Sequence, residues 1–464
     1  MLFHSPTFFV FFAVVLLLYR RLGLAGQNHL SLVASYIFFG WWDWRFLGLL
    51  IFSTAVDFYV AQRIEATDEA PRRKRWLWVS LATNLGLLAF FKYTGFFVDS
   101  AVDLLLALGL QPHRPVLGIL LPIGISFYTF QTMAYTIDVY RRHTRATRDP
   151  VAFAVYVAWF PQLVAGPIER ADRLLPQFST RRLPTRHQLG SGALLMLIGY
   201  FRKVAIADTV APHVDRIFNA PGGASSVAIA LGVVLFALQI YGDFAGYSDI
   251  ARGASRMLGV ELMQNFEHPY FSTSITEFWR RWHVSLSSWL RDYLYIPLGG
   301  NRGGAFKTYR NLMLTMLLGG LWHGAGWNFV IWGGLHGGAL AVHKRWRGGH
   351  VPRPGRLRLV LSWAGTMALV CFAWIFFRAH TLDEALAVLR GLFAFTGGVP
   401  GSMALVAVAA VAALLLIDVP QVRRGEHEAM LRWPWWLRGA AYAGLALATL
   451  LLSGSPSPFI YFQF

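Results

Sequence analysis

The stretch "LSWAGTMALVCFAWIFF", residues 361–377, runs without a single Asp, Glu, Lys, Arg or His. It approaches the ~20 apolar residues a helix needs to cross the hydrocarbon core of a bilayer. "SPTFFVFFAVVLLLY" at 5–19 does the same, and such runs recur along the 464 residues. The composition agrees: 55% of residues are apolar and 14% charged, with a mean hydropathy of +0.45, where soluble domains carry roughly 25% charged residues. No ten-residue alternation marks a transmembrane barrel. The chain therefore reads as an all-α polytopic membrane protein. Cys371, inside the opening stretch, is the only cysteine, which excludes a disulfide framework or a cysteine-ligated zinc cluster.

The apolar start at 5–19 has no basic region before it and no small-residue cleavage site, and Arg20 and Arg21 follow it; this predicts a retained first helix rather than a signal peptide. The net charge of +18 suits positive-inside loops better than nucleic acid. Basic connections fall at 20–21, 61–75, 141–148, 343–358 and 420–438. With all of them cytosolic, helices near 5–19, 29–42, 46–60 and 76–91 alternate, a weakly amphipathic 97–112 lies outside, and 117–139 returns inward.

"PVAFAVYVAWFPQLVAGP" (150–167) breaks that alternation, because basic residues stand at both of its ends. Pro161 and Pro167 interrupt a helix there, and a re-entrant segment resolves the conflict. Non-helical backbone at membrane depth requires burial in protein or a cavity. At the other end, helices at 402–418 and 439–452 flank a basic loop. They lead to "SGSPSPFIYFQF" (453–464), whose aromatic residues Phe459, Tyr461, Phe462 and Phe464 would start on the outer side. With no repeat of fixed period and no matching halves, the chain reads as one membrane domain, 1–464, closed by an aromatic tail.

Two stretches carry candidate chemistry. "SITEFWRRWHVSLSSWLRDYLYIPLGGNR" (274–302) is too charged for a span and too apolar for a loop. At helical spacing Phe278, Trp282, Ser285 and Trp289 share one face, and Arg280, His283 and Ser287 a neighbouring one. That suits a helix at the membrane interface, which explains the tryptophans and arginines without needing His283. In "NLMLTMLLGGLWHGAGWNFVIWGGLHGG" (311–338), His323 follows eleven uncharged residues, Leu312 to Trp322. An ionisable side chain inside a span is a functional candidate, with a helix–helix hydrogen bond as the alternative. On one continuous helix His336, thirteen residues on, would lie about 220° away, and its small neighbours favour a packing role. Asp243 and Asp249 in "YGDFAGYSDIARG" suit either of two roles, orienting a histidine or ligand, or capping helices. No histidine pair at metal-ligand spacing appears, so no metal is expected, and no nucleophile elbow is present.

These segments, in this order, resemble the membrane-bound O-acyltransferase family, in its bacterial alginate O-acetyltransferase branch. The resemblance rests on "LPIGISFYTFQTMAYTIDVYR", "QLVAGPIER", "DFAGYSD", "NFEHPYFSTSITEFWRRWHVSLSSWLRDYLYIPLGGNRGG", "TYRNLMLTMLLGGLWHGA" and "FIYFQF". Ala245 departs from the serine common in relatives. The resemblance implies a ring of tilted helices around a central funnel, in the bacterial inner membrane. It puts the family's essential histidine on His323 and its second polar position on His283. It implies acetyl-coenzyme A as the donor, with no permanently bound cofactor. Arg280, Arg281 and Arg291 would attract the donor's phosphates, although positive-inside charge accounts for them equally.

An imidazole of ordinary pKa ~6.5 can accept a proton at cytoplasmic pH, which is coherent with the general-base role that the resemblance implies for His323. The donor is cytosolic and the acetylated polymer external, so an acetyl carrier between them is required. "FIYFQF" also resembles the end of the small partner peptide of teichoic acid D-alanylation systems, whose tyrosine is proposed as an acyl relay; here that residue is Tyr461. The resemblance further implies a periplasmic or membrane-anchored Ser–His–Asp transferase and a polysaccharide synthase complex as partners. Alginate, cellulose or another exopolysaccharide, and peptidoglycan all fit as acceptors. A non-catalytic transporter or channel, or a scaffold of the synthase complex, is the competing reading.

Overall fold

The computed structural model describes residues 1–164, 166–346, 355–398, 400–453 and 459–462, the last without its side chain. Of the four tail aromatics, Phe464 and the ring of Phe462 thus lie outside the described residues. Every regular element among the described residues is helical. Six of these helices are long and apolar enough to cross a membrane: Trp44–Glu65, Ala70–Ala107, Arg186–Asn219, Ser226–Met257, Arg356–Arg378 and Gly401–Arg424. Within 97–112, the segment expected outside the membrane, the residues as far as Ala107 end the 38-residue helical run Ala70–Ala107, which a π turn at Ala89–Tyr93 carries onward.

The chain forms two compact units, Met1–Leu189 with Ala254–Met263, and Gly190–Gly253 with Gln264–Phe464. In the first, α1 (Pro6–Tyr19) begins where the Ser5 hydroxyl accepts the Phe8 N–H at 3.2 Å, satisfying a donor the helix cannot. α2 (Leu24–Gly40) follows. α3 (Leu47–Glu65), α4 (Ala70–Leu88) and α5 (Ile125–Tyr140) are joined through Asp57, a fully buried carboxylate. Asp57 accepts from the Ser80 hydroxyl, the Asn84 amide (2.8 Å) and the Thr136 hydroxyl (3.2 Å). Polar groups that would be costly in hydrocarbon thus bind three helices together. α6 (Pro150–Ala158) stops at Trp159, and helix resumes at Phe160–Leu163 with Pro161 in its first turn. The Phe160 N–H freed by the break is donated to the Ser35 hydroxyl of α2 at 3.0 Å.

The second unit opens with the helical run to Asn219, which packs on α7 (Ser226–Met257, within this unit as far as Gly253). Gly242 and Gly246 stand four apart on α7, the small-residue spacing that lets helix backbones meet in membranes. A Cβ at Gly246 would lie 2.7 Å from the Gly199 carbonyl oxygen. Where the run widens into π geometry, Phe201–Asp208, it delivers Arg202 and Lys203 to the interior. Arg202 pairs with Asp249 of α7 and with Asp418, and the Tyr241 hydroxyl donates to Asp418 at 2.9 Å. Burying this guanidinium is tolerable only because several partners share it.

Next come α8 (Ile275–Arg281), α9 (Val284–Leu290), α10 (Ala305–His323), α11 (Trp327–Trp346), α12 (Arg356–Arg378), α13 (Gly401–Arg424) and α14 (Trp435–Leu451). Asp418 belongs to α13. α10 and α11 form a tight hairpin rather than the single helix assumed for placing His336 against His323. Gly324 is extended (φ −156°, ψ 147°) and ends α10. The two backbones touch: a side chain at Gly320 would overlap the Phe329 carbonyl, and one at Gly333 the Met316 carbonyl. We expect Gly333→Leu to destabilise the protein by at least ~1–3 kcal/mol through overpacking. Gly334→Ala, whose methyl would meet only the Leu317 side chain at 3.6 Å, should leave the unfolding temperature in detergent unchanged. Differential scanning fluorimetry of the two variants makes the comparison.

Candidate active site

The stretch around His283 is not the continuous interfacial helix its periodicity suggested. α8 ends at Arg281, Trp282 is extended, and His283 adopts the left-handed conformation at φ 44°, ψ 55°. A non-glycine residue is seldom found there and is held by its surroundings. Asn265 does the holding. Its carbonyl oxygen accepts the Val284 N–H at 2.9 Å, and its side-chain oxygen accepts the Ser285 hydroxyl at 2.9 Å and the Ser285 N–H at 3.3 Å. The kink turns His283 off the face it would share with Arg280 and buries it completely, whereas Arg280 stays exposed.

His323 reaches the same place from the hairpin, as the last residue of α10, and is buried. The imidazole centroids of His283 and His323 are 6.3 Å apart. The Tyr461 ring lies 5.6 Å from His323 and 6.2 Å from His283. Aromatic walls enclose the three: Phe244 at 4.7 Å from His283 and 4.4 Å from Tyr461, and Trp332 and Phe377 at 5.0 and 5.3 Å from His323. Tyr461 is half-buried as a residue, but its hydroxyl oxygen is buried. Burial pushes its phenol well above the ordinary value and lowers His283 to about 3. His283 is therefore neutral at cytoplasmic pH, a hydrogen-bonding group and not a cation.

The other candidates separate. Asp243 stands beside the tail: one carboxylate oxygen accepts the Ile460 N–H at 2.6 Å and the other faces Lys203 Nζ at 2.7 Å. Asp249 belongs to the Arg202–Asp418 cluster, with Arg252 at 3.3 Å. Arg281 pairs with Glu277 at 2.7 Å. Arg280, Arg291 and Lys344 line a cavity of about 760 Å³ together with Trp279, Ser287 and Met316, so three cations gather around one recess. His336 lies beyond Trp332, and its Nδ1 accepts the Trp279 indole N–H at 3.2 Å. Among the described residues, no group of three His, Cys, Asp or Glu side chains is placed to hold a metal ion.

Sequence reasoning passed over Lys203, Asn265 and Lys344. For Lys203 a signal was present, a lysine inside an apolar run, which is a functional candidate by default. Asn265 carried none, because its role exists only once the chain breaks at His283.

The family model for membrane-bound O-acyltransferases matches residues 117–382. The chain is 46% identical over 397 residues to the probable alginate O-acetylase AlgI of Azotobacter vinelandii, covering 85% of this chain and 78% of that one. It is 45% identical to the probable alginate O-acetylase AlgI of Pseudomonas aeruginosa, over 85% of this chain and 75% of the relative. To the peptidoglycan O-acetyltransferase of Helicobacter pylori it is 36% identical, over 86% and 80%. Together with the apolar helices, these likenesses decide for an enzyme over a passive channel or scaffold: the chain belongs to the membrane-bound O-acyltransferase family and is a multi-pass membrane O-acyltransferase.

Proposed function

We propose that this protein passes an acetyl group from cytosolic acetyl-coenzyme A across the bacterial inner membrane for O-acetylation of an extracellular polysaccharide, an alginate-like exopolysaccharide. The observation that carries the proposal is the meeting of His283, His323 and Tyr461 in one buried aromatic chamber. The names of the relatives, alginate and peptidoglycan O-acetylating proteins, support the acceptor class. The Arg280–Arg291–Lys344 recess supports a donor rich in phosphate.

The Tyr461 hydroxyl oxygen attacks the thioester carbonyl carbon. His323 takes the phenol proton, because a buried phenol does not ionise unaided. Neutral His283 donates to the carbonyl oxygen as negative charge develops there. The C–O bond forms, the C–S bond breaks, and the proton held by His323 passes to the departing thiolate to give coenzyme A. An aryl acetate remains on Tyr461. A phenol leaves more readily than a sugar alcohol, so this ester is activated for transfer to the serine of a Ser–His–Asp partner outside the membrane. From there the acetyl group passes to the polymer made by a synthase complex, and each transfer returns a free hydroxyl to the donor side.

Purified protein given labelled acetyl-coenzyme A should yield a C-terminal peptide carrying one acetyl group; an unlabelled tail refutes the relay. Tyr461→Phe, which keeps the ring, should abolish both the label and polymer acetylation. Full polymer acetylation by that variant would make Tyr461 a plug. His323→Ala should cut transfer by ~10²-fold or more with protein abundance unchanged. His283→Ala should cost ~10²-fold, and His283→Asn, which keeps a neutral donor, should recover most of that loss.

A further inference from the structure

The seat that receives the tail is built from one face of α7. A chain end entering an apolar interior must find partners for its backbone groups. Ile460 is 2% exposed, and its N–H reaches a carboxylate oxygen of Asp243 at 2.6 Å, a charge-assisted bond stronger than one to a neutral acceptor. A carboxylate at this depth is costly unless compensated. Lys203 compensates it, with Nζ 2.7 Å from the other Asp243 oxygen and 2.7 Å from Asp208. The two oxygens of Asp243 thus have separate partners, one inside the helix bundle and one in the tail.

The residues beside Asp243 read the residues beside Ile460. Phe244 packs its ring 4.4 Å from Tyr461, and Tyr247, one turn along α7, packs 4.3 Å from Phe459. Three consecutive tail residues are therefore recognised as ring, N–H, ring. Sliding the tail by one position would put an aliphatic or a phenylalanine side chain, neither with a hydroxyl, opposite His323.

We infer that Asp243, braced by Lys203, is a positioning residue that sets the register of the C-terminal segment so that Tyr461 meets His323. This rests on the relay reading of Tyr461. Asp243 touches neither donor nor acetyl group, and its effect passes through a single backbone N–H.

Ile460→Pro removes that N–H. Ile460 opens the short 3₁₀ turn Ile460–Phe462, a first-turn position where proline is tolerated. Ile460→Val keeps the N–H and serves as the control. In full-length protein, hydrogen exchange of the C-terminal peptide should accelerate by roughly tenfold to hundredfold in Ile460→Pro and in Asp243→Ala, as expected for loss of a charged hydrogen bond. Ile460→Val should match the wild type. Labelling of Tyr461 should slow to a similar degree with the KM for donor unchanged. The double variant Asp243→Ala/Ile460→Pro should be no slower than either single one, because both remove the same bond. Additive losses, or unaltered tail exchange in Ile460→Pro, overturn the inference even when Tyr461→Phe is inactive. An active Tyr461→Phe refutes the relay, and loss of tail protection in Ile460→Pro then still reports the seat itself.

Discussion

A backbone N–H or C=O deprived of its helical partner inside an apolar protein must find another, and at three places in this molecule one polar residue elsewhere in the chain meets that demand. At Trp159 the helix stops, and Ser35 receives the Phe160 N–H. At His283 it stops again, and Asn265 receives Val284 and Ser285. At the tail, Asp243 receives Ile460. Each break costs helical hydrogen bonds, and each is held open by a partner distant in sequence but packed against it.

The breaks and the glycines act together. Glycine contacts bring α10 against α11, and α7 against the run before it, closely enough for carbonyls to meet facing backbone. The first contact fixes where His323 ends its helix; the second fixes Asp243 beside Lys203. The walls between them are almost wholly aromatic, which excludes water and strengthens what electrostatics remains. The buried ions gather in two clusters. Arg202, Asp249 and Asp418 form one cluster, and Lys203, Asp208 and Asp243 another. Within the chamber, the rings of Trp332, Phe377 and Tyr461 pack on His323.

Much of this was legible in the sequence. The apolar runs at 46–60, 76–91, 361–377 and 402–418 fall in helices long and apolar enough to cross a membrane, and Pro161 marks the interruption in 150–167. Periodicity failed at 274–302, because a helical wheel assumes continuity and His283 sits at a discontinuity imposed by Asn265, eighteen residues earlier. It failed again between His323 and His336, where Gly324 turns the chain back and Trp332 comes between the rings. Asp243 and Asp249, equivalent by eye in one motif, divide by partner: one meets the tail, the other meets Arg202.

The sequence by itself determined that the chain is helical and membrane-embedded, that a few ionisable residues are buried at a cost, and that its end is aromatic. Those properties follow from composition and local spacing, which every residue carries with it. Tertiary structure decided which of those residues meet. A histidine from a kink, another from a hairpin and a tyrosine from the tail share a chamber only when three remote contacts hold their backbones in place. Such contacts depend on side chains tens to hundreds of positions apart, which no local pattern records.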